Sequence, residues 1–173
     1  MDCFLIAQIL GFLALVSSIL SVMQKSRGKY IVFNIVQNIF SAFQYLLLSK
    51  NIAFYLCLIA IIRLVVYSFR RRFNKITNIF VLVFFIVLNL FVSIINFKYW
   101  YDLIPLIAST LVCYTVWQKE INIIRLGVLI SKAMWGVFAI ISLAYFSVIM
   151  DVFIIVWTFV LLVGENKRRV NFN

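Results

Sequence analysis

The chain is 173 residues long, 66% hydrophobic and 12% charged, with a mean hydropathy of +1.13 and a formal net charge of +11. A soluble domain is about 45–50% apolar and about 25% charged, and so short a chain has too much surface for its volume to hide the difference. These values exclude a soluble globular domain, a disordered chain and a coiled coil, and leave an integral membrane protein built of α-helices.

Seven apolar runs are candidates for crossing the bilayer, where a helix needs roughly 17–25 residues. The first, 4–23, has no base ahead of it and is followed by Lys25, Arg27 and Lys29, so it reads as a retained helix rather than a cleaved leader. The second, 31–48, carries Asn34, Gln37, Asn38, Ser41, Gln44 and Tyr45 at spacings of three and four, which puts them along one face. Lys50-Asn51 alone separates it from the third, 52–69, where Cys57 and Arg63 interrupt the apolar sequence. Arg63 is close enough to the helix end to snorkel towards lipid phosphates.

The fourth run, 76–96, holds Asn78, Asn89 and Asn96, too widely separated to form one site. The fifth, 103–117, opens near Pro105 and is short unless Trp100 and Tyr101 sit among the headgroups. The sixth, 124–144, presents Ser131, Lys132, Trp135 and Ser142 on a face comparable with that of the second. The seventh, 147–163, contains Asp151, the only acid inside a predicted helix. The polar stripes of the second and sixth runs fit either interhelical hydrogen bonding or a polar central cavity. Asp151 either shares a solute or proton site with Lys132, or snorkels to the outer interface while neighbours satisfy Lys132.

Twelve of the sixteen Lys and Arg residues stand on alternate connections: Lys25, Arg27 and Lys29; Arg70, Arg71, Arg72 and Lys75; Lys119 and Arg125; Lys167, Arg168 and Arg169. Lys50 and Lys98 stand on the other side, and Arg63 and Lys132 lie inside helices. Positive loops stay in the cytoplasm, so the N-terminus is expected outside and the C-terminus inside. The bases then read as topology signals and lipid-headgroup contacts, with no nucleic acid as partner.

A shift of 94 residues brings Ser21-Val22-Met23-Gln24-Lys25 onto Thr115-Val116-Trp117-Gln118-Lys119, Gly11 onto Pro105, Asn38 onto Lys132 and Ser41 onto Trp135. Direct identity at this shift is no better than composition alone provides; the matched hairpin lengths and the shared Gln-Lys exit carry the reading. A three-helix unit ends on the side opposite its start, so repeating it in the same orientation needs one extra crossing, which the fourth helix supplies. The expected fold is a single all-α membrane domain over 1–173 with seven transmembrane helices in a 3+1+3 parallel repeat. Its parts are a first three-helix repeat at 4–72, an inverter helix at 73–98, a second repeat at 99–166 and a basic cytoplasmic tail at 167–173.

Enzyme chemistry finds little support. There is no histidine, no CxxC, no acid pair on one helix face, and no GxSxG, HExxH or phosphate-binding glycine loop. A serine–lysine dyad of Lys132 with Ser131 or Ser142 is conceivable, but adjacent helical residues diverge by about 100°. Cys3, Cys57 and Cys113 read as small buried hydrophobes. No catalytic residue, metal or cofactor is expected.

Several segments resemble the bacterial YgjV inner-membrane protein family: Ser21-Val22-Met23-Gln24-Lys25-Ser26, Phe43-Gln44-Tyr45-Leu46-Leu47-Leu48, Ile61-Ile62-Arg63, Leu103-Ile104-Pro105-Leu106-Ile107-Ala108, and Trp117-Gln118-Lys119 followed by Ile124-Arg125. That family looks related to the MtN3/PQ-loop group, which includes the SWEET sugar transporters. The resemblance implies a SWEET-like 3+1+3 fold. In those relatives an asparagine tends to occupy repeat-related sites in the third and seventh helices, where this chain has Cys57 and Asp151. The difference argues against a symmetric asparagine-lined sugar site, and for a cation or a substrate amine at Asp151.

The leading expectation is a small-molecule transporter or facilitator of the cell membrane. Asn38, Ser41, Cys57, Lys132, Trp135 and Asp151 are the candidate lining of its central cavity. The alternative is a non-transporting membrane receptor or scaffold, which would pack dry where a transporter needs a cavity reaching mid-bilayer. The partners expected are the lipid bilayer and a small polar or cationic solute, with a homo-oligomer left open.

Overall fold

The chain offers few interruptions to helix, with one proline and five glycines in its whole length. The computed structural model describes residues 2–24, 27–69, 75–117 and 121–170. Among these residues there are seven α-helices and no strand: α1 Asp2–Met23, α2 Arg27–Leu47, α3 Asn51–Ser68, α4 Lys75–Asn96, α5 Leu103–Trp117, α6 Ile121–Ile141 and α7 Tyr145–Val170. The basic residues Lys25, Arg70, Arg71, Arg72 and Lys119 lie outside the described residues.

Every predicted run overlaps one of these helices, but several helices extend further. α2 begins at Arg27 rather than 31, α6 at Ile121 rather than 124, and α7 continues to Val170 past the expected end at 163. The i to i−4 bonds of a helix do not stop where hydrocarbon stops, so polar flanks join the helix once its apolar part has formed. The short α5 is preceded by a single 3₁₀ turn, Trp100–Asp102. Asp102 holds that turn: its Oδ2 accepts the backbone N–H groups of Lys98 at 3.0 Å and Tyr99 at 2.9 Å.

Two stretches are long and apolar enough to cross a membrane by length and composition, Cys3–Ser21 in α1 and Ile79–Asn96 in α4. Ile31–Leu47, Asn51–Val66, Leu126–Ile141 and Tyr145–Val160 are apolar but shorter. The expectation of seven spans thus meets the length test in two helices. Among the described residues the other apolar stretches fall short of that length. Burial across the bundle runs opposite to that of a soluble protein. Gln37, Gln44, Asn89, Ser93, Ser131 and Asp151 are buried, while large apolar side chains such as Phe80, Phe84, Phe91 and Ile94 are exposed along α4. An apolar exterior of this extent marks a surface covered by lipid or another apolar partner.

α1, α2, α3, α5, α6 and α7 pack in a closed ring, each on the next and α7 back on α1; α4 lies against both α3 and α5. Two glycines permit close helix contact. A Cβ at Gly11 of α1 would come within 2.5 Å of the Gln44 side chain on α2, and one at Gly127 of α6 would overlap Thr115 of α5.

The α2–α3 and α6–α7 connections are the same turn. Ser49 N donates to Leu46 O at 3.0 Å and Lys50 N to Tyr45 O at 2.8 Å. Leu143 N donates to Ile140 O at 3.1 Å and Ala144 N to Ala139 O at 2.9 Å. Both are Schellman caps, with Ser49 and Leu143 each at φ 57° in the left-handed region. Each donor and acceptor of the second turn stands 94 residues after its counterpart in the first.

Candidate solute cavity

A cavity of about 240 Å³ lies inside the ring and takes lining residues from all six of its helices, and none from α4 among the described residues. The amphipathic pattern of α2 accounts for the largest polar share: Asn34, Gln37, Asn38, Ser41 and Tyr45 all face it. The Asn34 amide donates to Ser21 Oγ of α1 at 2.6 Å, and the Asn38 amide to Asn34 O at 2.7 Å. Gln37 Nε2 meets Met150 Sδ of α7 at 3.4 Å. Ser41 Oγ is buried and has no hydrogen-bond partner among the described residues. Gln44 turns away from the cavity into the α1–α2–α7 contact, where its Oε1 accepts from Ser147 Oγ at 2.7 Å.

All six residues singled out from the sequence line this cavity: Asn38, Ser41, Cys57, Lys132, Trp135 and Asp151. Lys132 Nζ and Asp151 Oδ1 are 3.0 Å apart, with the aspartate side chain 2% exposed and the lysine 22%. Asp151 therefore does not snorkel to the interface. Its neighbour across the α6–α7 hairpin is Lys132, whose long stem spans the difference in backbone depth, and the pair meets the demand that a buried charge be matched. The serine–lysine dyad is not assembled: Ser131 Oγ donates to Ala108 O at 3.1 Å while Lys132 is held by Asp151.

Arg63 also departs from its expected place. It is 8% exposed and lines the cavity instead of reaching lipid. Its Nη1 donates to Ser109 O at 3.3 Å and to Cys113 Sγ at 2.8 Å, both on α5. Asn89 of α4 completes this buried cluster: its Nδ2 donates to Cys113 Sγ at 3.3 Å and its Oδ1 accepts from Ser109 Oγ at 3.3 Å. Cys57 and Cys113 are buried as expected, but Cys3 is exposed, and Cys113 is a hydrogen-bond acceptor rather than an inert filler.

The sequence reading did not single out Arg63 or Ser109 as lining, nor Ser18 and Ser21 of α1. Ser18 and Ser21 are three apart, on one face of a run whose other polar residues are Gln8 and Ser17, which was the available signal.

An aromatic cluster marks one end of the cavity. Tyr45, Trp135 and Phe138 have ring centroids 5.8–6.0 Å apart, and Tyr101 approaches Phe138 at 6.4 Å. Behind it, Lys50 Nζ donates to Tyr101 Oη at 3.2 Å. At the other end the lining reaches Ser21, two residues before α1 stops at Met23.

The polar interior, the apolar exterior and the apolar stretches of α1 and α4 describe a membrane protein, and the sequence match agrees. The family of bacterial inner membrane proteins Imp-YgjV matches residues 5–169. The chain belongs to that family. No curated protein and no solved structure matches it.

Proposed function

We propose that this Imp-YgjV protein is a transporter or facilitator of small solutes across the bacterial inner membrane. The observation that carries the reading is the cavity at the centre of the ring, with its polar lining and buried Lys132–Asp151 pair. A helix bundle serving only as a scaffold gains nothing from burying ionic groups around a cavity, because each charge moved out of water is costly.

The proposal includes a 3+1+3 arrangement related to the MtN3/PQ-loop group. Two observations support it. The Schellman caps recur at a spacing of 94 residues. The ring contacts also exchange in pairs under that shift: α1–α2 with α5–α6, α2–α3 with α6–α7, and α3–α5 with α7–α1. With the N-terminus outside and the C-terminus in the cytoplasm, the aromatic cluster closes the outer end and the lining approaches the cytoplasmic end. Passage then requires Tyr45, Trp135 and Phe138 to separate as the two three-helix halves rock against each other. The solute is moved without chemical change.

The test is flux in proteoliposomes of the full chain, using labelled neutral, cationic and anionic solutes small enough for the cavity. At least one class should cross ten times faster than in protein-free liposomes, and modification of a Ser41→Cys variant by a bulky thiol reagent should block it. Equal flux with and without protein for every class overturns the proposal.

A further inference from the structure

Among the described residues three charged side chains line the cavity: Arg63, Lys132 and Asp151. Lys132 and Asp151 cancel each other at 3.0 Å. Arg63 has no carboxylate partner among the described residues; both its bonds go to neutral acceptors, Ser109 O and Cys113 Sγ. Arginine does not shed its proton in proteins, so the cavity keeps one uncompensated positive charge.

The guanidinium is also half used, in a particular way. Nη1 spends its two N–H groups on α5 and so fixes the plane of the side chain. The three N–H groups on Nε and Nη2 have no protein acceptor among the described residues. Nε and Nη2 form one edge of the fork, the edge that takes two oxygens of a carboxylate or phosphate side by side. Ser41 Oγ adds to the lining a hydroxyl that has no partner among the described residues. Arg63 stands six residues along α3 from Cys57, hence about 9 Å from it along the helix axis. It therefore lies towards the Ser21 end, with the Lys132–Asp151 pair and the aromatic cluster further in.

We infer that the cavity binds a small anion through an oxyanion group, carboxylate or phosphate, held by the Nε–Nη2 edge of Arg63. The inference rests on reading the cavity as a solute site, and it replaces the cation expected at Asp151. That carboxylate is already occupied by Lys132, whereas the guanidinium is the charge left over.

Thermal stability of the purified full chain in detergent tests it, with sodium succinate or sodium phosphate added against sodium chloride at equal ionic strength. One of the two should raise the melting temperature by several degrees, succinate marking carboxylate chemistry and phosphate the alternative. Glucose and choline chloride should give no comparable rise. Arg63→Gln should remove the response. Arg63→Lys, which keeps the charge but loses the fork, should need at least ten times more anion for the same rise. The inference is overturned if neither anion stabilises, if glucose or choline stabilises more, or if Arg63→Gln, or Arg63→Lys where the first variant does not fold, responds as the native chain does. Flux separates this from the transporter reading. Anion binding with no flux of any solute overturns transport alone. Flux of glucose or choline without an anion response overturns the anion alone.

Discussion

Asp151 is the most deeply buried charge in the cavity, and its partner is 22% exposed. Asp151→Asn keeps the shape of the side chain but leaves the Lys132 ammonium without a counter-charge, and should destabilise the fold by about 3 kcal/mol, the lower end for breaking a buried pair. Lys132→Met combined with Asp151→Leu should recover most of that loss, because an apolar pair removes both charges together. Denaturation of the parent and the two variants in one detergent checks this; an Asp151→Asn variant as stable as the parent would show that the pair does not support the fold. The positions of Asp151 and Lys132 along their helices were readable from the sequence, and so was the polar face of α2. The surroundings of Arg63 were not. Its neighbours Ile61, Ile62, Leu64 and Val65 are all apolar, so no polar stripe marks which face of α3 turns inward. Its acceptors come from α5, which no pattern within α3 can reveal.

The two repeated turns make a prediction at the level of the helix ends. Leu143 holds φ 57°, a conformation that its Cβ disfavours, while its side chain is exposed and packs little. Leu143→Gly should therefore stabilise by about 0.5–1 kcal/mol, and Leu143→Val should destabilise by a similar amount. Unfolding of both variants decides it; a loss on Leu143→Gly would mean that the exposed side chain contributes more than the backbone strain. The existence and order of the helices were legible because long apolar runs separated by charge leave no other arrangement. Their ends were less so. A run of apolar residues marks where lipid begins, whereas a helix ends where its hydrogen bonds are capped. The cap at Leu143 has neither glycine nor asparagine to announce it.

At the scale of the molecule, the charge split makes the topology testable. Reporter fusions after Arg72 and after Arg169 should both signal cytoplasm, and one after Lys98 should signal the outer side; a cytoplasmic signal after Lys98 would break the seven-crossing arrangement. In the sequence the proposed repeat rests on matched lengths and one shared motif, since lipid-facing positions accept almost any apolar residue and would lose identity. The hydrogen bonds of the turns keep the same spacing without needing the same residues. The placement of the charges also bears on how the protein is assembled during synthesis. Lys132 and Asp151 are nineteen residues apart on one hairpin, so they can leave the insertion machinery together, already neutralised. Arg63 must wait for Ser109 and Cys113, which follow it by 46 and 50 residues. Among the described residues the first three helices offer the Arg63 side chain no acceptor of their own, so the first half of the chain stays unfinished until α5 arrives.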